Sequence, residues 1–141
     1  MKVFWDVDTQ VDFIEPTGKL YVPGAETIVG NLARLTDYAH AAGIIIVASA
    51  DDHVDGHEEI STSPDFEKTY PPHCMRGSAG QRKIDATALR SPLVIEPDAA
   101  SLPDLAGHDG DLLFHKHYFD VFTNPHVSPA LRVLGVTEVV L

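Results

Sequence analysis

Charged side chains gather at three places in this sequence where hydrophobic runs end. The first is FWDVDTQVDFIEP, residues 4–16, where an apolar run leads into Asp6, Asp8 and Asp12. Burying a carboxylate without a partner is costly, so carboxylates crowded at the end of an apolar run need a task. Side chains alternate along a strand, and these three share a face only while the chain stays extended. Asp8 falls at the end of the run and is the candidate for proton transfer, whereas Asp12 lies beyond it, within reach of loop backbone. Capping and turn formation would account for all three equally well on these residues alone.

The second place is ADDHVDGH, residues 50–57. Asp51 and His53 are two apart, so an extended segment lets both converge on one ion. Carboxylate oxygen with imidazole nitrogen suits zinc, iron or manganese better than calcium. A third ligand would come from His57 or from His73 in YPPHCMRGSAG. A polar loop with surface histidines is the plainer alternative, since the spacing is neither H-E-x-x-H nor paired C-x-x-C. The third place is Lys116 in LLFHKHYFDVF. A lysine among apolar and aromatic neighbours can have its charge held by a carboxylate or its pKa lowered by burial; extension to water is the commoner outcome. Cys74 is the only thiol. Adjacent side chains generally point apart, so His73 is a poor base for it, and Cys74 is expected to be structural.

These groups need a scaffold that brings them together. Residues 2–7 read as a buried strand. Ile28, Leu32, Leu35 and Ala39 recur at helical spacing, Gly43 supplies a stop, and IIIVASA follows as a β-branched strand apolar on both faces, as a parallel sheet covered by helices requires. A polar stretch, roughly residues 51–90, carries Pro64, Pro71, Pro72, Gly56, Gly77 and Gly80; loops of that length are uncommon unless functional or disordered. PLVIEP, DLLFHK, a short helix around PHVSPALRVLG and TEVVL complete the pattern. The expectation is one α/β domain, residues 1–141, a three-layer sandwich with a mainly parallel central sheet. Asp8, Asp51, His53 and Lys116 then all fall at the carboxyl edge, where such sheets place reactive groups. Because TEVVL is a strand with no covering helix after it, the sequence is expected to be part of a longer protein.

Length and charge bound the function. The 141 residues carry 21 acidic and 10 basic side chains, a formal charge of -11. Such a field repels phosphate backbones and anionic membranes, so neither nucleic acid nor membrane is an expected partner. GIIIVASA is too short to span a bilayer, and MKVFWDV has no basic n-region. A lone cysteine fits a reducing compartment, and the expected location is the cytoplasm.

Taken in order, these segments resemble the isochorismatase-like cysteine hydrolases, and within them the nicotinamidases. The family's D-x-Q-x-D-F is matched by Asp8, Gln10, Asp12 and Phe13; GKLYVPGAETI looks like the segment leading into its first helix. Its D-W-H with a further histidine resembles Asp51, Asp52, His53 and His57, with Asp52 in place of tryptophan. PPHCMRGSAG is close to P-x-H-C-x-x-G-x-x-G, and Lys116 with YFDVF fits the lysine segment. The resemblance implies that Asp8 is the general base and Lys116 the cationic member of a Cys-Asp-Lys triad. It implies that Asp51, His53 and His73 bind a divalent metal, zinc first and manganese or iron otherwise. Phe13, His57 and Tyr118 would line the pocket or support the ligands, and Cys74 would be structural. The substrate would be nicotinamide or a similar small carboxamide, cleaved to acid and ammonia through a thioester, in a homo-oligomer. The family's nucleophilic cysteine follows the strand that TEVVL begins and is not among these residues, so this chain alone is expected to be inactive. A vinyl-ether-cleaving isochorismatase, another small-amide hydrolase of the family, and a catalytically defective metal-binding domain are the alternatives.

Overall fold

The structure, a computed structural model, describes residues 1–141. It has five short strands, most of them apolar along their length. They are β1 (Lys2–Val7), β2 (Ile46–Asp51), β3 (Leu93–Ile95), β4 (Leu112–Lys116) and β5 (Glu138–Val140). They form one sheet in the order β3-β4-β2-β1-β5, and every neighbouring pair is parallel. The central strand β2 is buried at all six positions, which is why its sequence is a continuous run of small and β-branched residues rather than an alternating one.

The helices are α1 (Val11–Ile14), α2 (Val29–Ala41) and α3 (Val127–Val133). Val3 and Trp5 of β1, Val47 of β2, and Leu112 and Phe114 of β4 pack with Val127 and Ala130 of α3 into the main core. The alternate residues face α2: Phe4 stacks on Tyr38 with ring centroids 6.1 Å apart, and Ala39, Ile46 and Ala48 are buried. Helices on both faces of a parallel sheet make the three-layer α/β sandwich expected from the strand and helix pattern. No helix is long and apolar enough to cross a membrane.

Two details differ from the sequence expectation. Ile28 lies in a 3-10 turn (Ala25–Ile28) before α2 rather than in the helix itself, and its side chain lines a cavity instead of the helix–sheet seam. Leu35 stays 46% exposed and Tyr38 59% exposed, so the apolar stripe of α2 is only partly covered. The polar segment between β2 and β3 has no helix or strand beyond a 3-10 turn at Asp85–Thr87. Side chain to backbone bonds order it instead: Asp65 Oδ1 accepts from the N–H groups of Glu67, Lys68 and Thr69 at 2.9–3.0 Å.

Candidate active site

Register builds the centre of the site. Asp51 ends β2 directly opposite Lys116, which ends β4. Asp8 follows Val7, the last residue of β1, which pairs with Ser49. The backbone turns there into the left-handed region, φ 50° at Asp8, an uncommon conformation for a residue other than glycine that concentrates at functional sites. The Ser49 hydroxyl donates to Asp8 Oδ1 at 2.7 Å. Lys116 Nζ lies 3.2 Å from Asp8 Oδ2 and donates to Asp51 Oδ1. With Lys116 only 2% exposed, its charge is held between two carboxylates and does not extend to water.

Burial and charge act in opposite directions on these groups. Burial is the largest influence on Lys116 and lowers its pKa, but Asp51 and Asp8 together raise it above the ordinary lysine value. Asp8 is shifted up chiefly by burial, which outweighs the pull of Lys116. For Asp51, burial also pushes upward, yet His53, His73 and Lys116 together hold the carboxyl well below the usual range. The site therefore contains one firmly ionised carboxylate and one whose proton is held more readily, the division of labour that proton transfer needs.

Next to this trio, Asp51 Oδ2 lies 3.2 Å from His73 Nε2 and 3.6 Å from His53 Nε2. All three residues are buried. His53 Nε2 has no hydrogen-bond partner, an unusual state for a buried nitrogen. His73 Nδ1 donates to the Pro71 carbonyl at 2.8 Å, which orients the ring and directs Nε2 at Asp51. Zinc bonds of ~2.0–2.2 Å separate neighbouring ligand atoms by roughly 3.4 Å in a tetrahedron. The residues thus fit a divalent metal in donor type, in spacing and in the unsatisfied nitrogen.

Backbone and side-chain clamps hold the loop that carries His73. His53 N donates to Cys74 O at 3.2 Å, and Arg76 N to His53 O at 2.7 Å. Asp12 accepts from Cys74 N at 2.7 Å and from Lys19 N at 2.9 Å, so it ties two loops together, as its place beyond the strand end leads one to expect. Gly80 packs on the Asp12 carboxylate so closely that a Cβ there would lie 2.1 Å from Oδ2. Gln10 Oε1 accepts from Asp51 N at 2.7 Å, and Nε2 donates to Asp51 O at 2.8 Å and Gln81 O at 2.7 Å.

Asp8, Asp51, His73 and Lys116 open on a cavity of about 340 Å³ with a mainly apolar lining that includes Phe13 and Phe119. Of the three pocket or supporting candidates, Phe13 lines it. His57 sits behind His53, with their Nδ1 atoms 3.4 Å apart, outside the three-ligand group. Tyr118 does not line the cavity: the chain leaves the strand at Lys116 and bends, so alternation fails, Phe119 faces the cavity, and the Tyr118 hydroxyl donates to Glu58 at 3.2 Å. Cys74 is fully buried, with Sγ 3.8 Å from Gly80 O, and burial and nearby carboxylates push its thiol far up. Neither Ser49 nor Gln10 has an evident chemical task in the sequence; the one signal for Ser49 is a hydroxyl within a strand that is otherwise apolar.

This is the architecture of doubly wound α/β proteins that bind ligands beyond the carboxyl ends of parallel strands. Residues 6–141 match the isochorismatase domain family. The chain belongs to that family. A nicotinamidase/pyrazinamidase of Mycobacterium tuberculosis is 38% identical over 98 residues, which are 64% of this chain and 50% of that enzyme. The chain therefore spans half the length of this curated relative. Among solved structures, a pyrazinamidase/nicotinamidase from Streptococcus mutans superposes with a TM-score of 0.71 at 23% identity, covering 99% of this chain and 69% of that one. A pyrazinamidase of Pyrococcus horikoshii in complex with zinc gives a TM-score of 0.67 at 22% identity, covering 98% and 67%. These likenesses establish the fold.

Proposed function

We propose that this chain forms most of the active site of a metal-assisted amidohydrolase, converting nicotinamide or a similar small carboxamide to the acid and ammonia. The carrying observation is Lys116 buried between Asp8 and Asp51 at the mouth of the cavity, beside His53 and His73. The similarity to nicotinamidases and pyrazinamidases supports the substrate class. Asp51, His53 and His73 would hold a divalent ion, zinc by donor set with manganese or iron as the alternatives, and that ion supplies a Lewis acid for a donor atom of the substrate.

The chain's own residues then handle protons and charge. Asp8 takes the proton from a thiol as sulfur attacks the amide carbon, and returns it to the departing nitrogen, so ammonia leaves and a thioester remains. Asp8 then takes a proton from water, which cleaves the thioester to the acid and restores the thiol. Lys116 holds the Asp8 carboxylate in place and offsets the negative charge that builds during attack. The apolar wall around Phe13 and Phe119 keeps bulk water from the thioester. The one cysteine in the sequence is fully buried, its Sγ 3.8 Å from Gly80 O, and its thiol is held protonated by burial and nearby carboxylates, so the thiol and the neighbouring oxyanion donors are taken to come from outside these residues. The free thiol of Cys74 suits the cytoplasm.

Ammonia release from nicotinamide by the complete gene product tests this. Metal-loaded protein should release ammonia, a chelator should stop it, and the 141-residue chain alone should be inactive. Metal-loaded complete protein that leaves nicotinamide intact would refute the substrate assignment. The buried sole thiol favours a second reading, a catalytically defective metal-binding domain; it is the outcome if zinc binds and no amide is cleaved.

A further inference from the structure

On the opposite face of the same strand ends lies a second cluster. Ala50 of β2 pairs with His115 of β4, and Ile95 of β3 pairs with Phe114, so Glu96, His115 and Asp52 follow in register across three strands. They share a face that Lys116 and Asp51 do not, because side chains alternate. His115 Nδ1 is 2.9 Å from Glu96 Oε1 and 4.0 Å from Asp52 Oδ2. His117 Nε2 is 3.8 Å from the same Asp52 oxygen. That nitrogen is buried and has no hydrogen-bond partner.

We propose that Asp52, Glu96 and His115 form a second divalent-cation site of the zinc class, separate from Asp51–His53–His73, with His117 beside it. An imidazole and two carboxylates are a donor set typical of zinc, manganese or iron. One ion with bonds of ~2.0–2.2 Å spaces its ligands roughly 3–4 Å apart, and the ligand atoms of Asp52, Glu96 and His115 all lie within 4.8 Å of one another. The unpartnered His117 nitrogen, 3.8 Å from Asp52 Oδ2, stands at the edge of this group, where a small shift of the ring would add it as a further donor. The ion would fasten the tips of β2, β3 and β4, whose other face carries Asp51 and Lys116.

One group competes for the site. Asp52 accepts from Arg76 Nε at 3.0 Å, from Arg76 Nη2, and from Gln81 Nε2 at 2.6 Å. The Arg76 side chain is 54% exposed and is free to swing into solvent when a cation arrives, whereas Asp52 is 1% exposed and fixed. Arg76 therefore occupies the charge of Asp52 when the ion is absent, and the two exchange.

The test is metal stoichiometry of the full, tag-free chain, stripped with a chelator and titrated with zinc and with cobalt, read by calorimetry and elemental analysis. The expected result is two ions per chain. Glu96→Gln with His115→Ala should remove one, and His73→Ala the other, so that each variant's remaining ion reports that it has folded. Arg76→Gln should tighten the second site by about fivefold, the ~1 kcal/mol of a partly exposed ion pair. A single ion, lost in His73→Ala and kept in Glu96→Gln/His115→Ala, would overturn the proposal. So would an Arg76→Gln chain whose metal affinity is unchanged, because a plain ion-pair network gains nothing from losing its cation. The readout is bound metal, so it stands whether or not the chain's parent hydrolyses amides.

Discussion

Lys116 sits between Asp8 and Asp51, and replacing it with methionine should do more than lower activity. The two carboxylates would face each other without their shared cation, and breaking a buried ion pair on one side costs about 3–5 kcal/mol. Urea unfolding should show that loss, whereas Asp8→Asn should leave the chain folded and abolish turnover in the complete protein by ~10²–10⁴. Asp8 also sets a pH dependence with a definite sign. Burial raises its folded pKa above the ordinary aspartate value, so Asp8 favours the folded state in acid, and that contribution is lost as pH rises through the raised value. Activity should run the other way, with kcat/KM falling on the acid side through that same pKa, above the usual carboxylate range of ~3.9. An acid limb at the ordinary value, or one that persists unchanged in Asp8→Glu, would remove Asp8 from the base role. Much of this centre was legible as residue type and position: Asp8, Asp51, His53 and Lys116 each close an apolar run. Tyr118 was not, because the bend after β4 that sends its hydroxyl to Glu58 has no hydrophobic pattern to announce it.

The loop from His73 to Gln81 shows how a segment without regular structure can be rigid. Asp12 reaches across to Cys74 N, and Gly80 lies against the Asp12 carboxylate with no room for a methyl group. Gly80→Ala should therefore push Asp12 off Cys74 N, shift His73 away from Asp51, and destabilise the chain by about 1–3 kcal/mol. Denaturant midpoint and zinc affinity should fall together; a fully stable Gly80→Ala chain with unaltered zinc affinity would show that the clamp does not position His73. The strands could be read directly from apolar runs, since β2 is buried along its whole length. The stripe at Ile28, Leu32, Leu35 and Ala39 gave the helix but overstated its burial, because periodicity records which residues could pack and not what covers them. The segment between β2 and β3 was unreadable for a different reason. Much of its order comes from single side chains such as Asp12 and Asp52 bonding to distant backbone or cations, and spacing in sequence does not encode those pairings.

Across the whole molecule the charge is -11, and the cavity where a substrate must enter shares its sign. Three carboxylates, Asp8, Asp51 and Glu59, line the cavity against the single ammonium of Lys116, and a divalent ion at Asp51, His53 and His73 brings that sum only to neutrality. A neutral carboxamide pays no electrostatic penalty there. A dicarboxylate vinyl ether such as isochorismate does, and so does the anionic product that amide hydrolysis leaves behind. The same field should therefore favour the proposed carboxamide substrate, nicotinamide, over its acid, nicotinate. Nicotinate should bind the metal-loaded complete protein at least about tenfold more weakly than nicotinamide competes, a difference of ~1.4 kcal/mol. Raising salt should narrow the gap, because screening shortens the reach of the surface charges while leaving the buried ones nearly unaffected. Competition assays at low and high ionic strength measure both effects. Nicotinate binding as tightly as nicotinamide at low salt would mean that Lys116 and the metal dominate the cavity field, and the vinyl-ether substrate class would regain its footing.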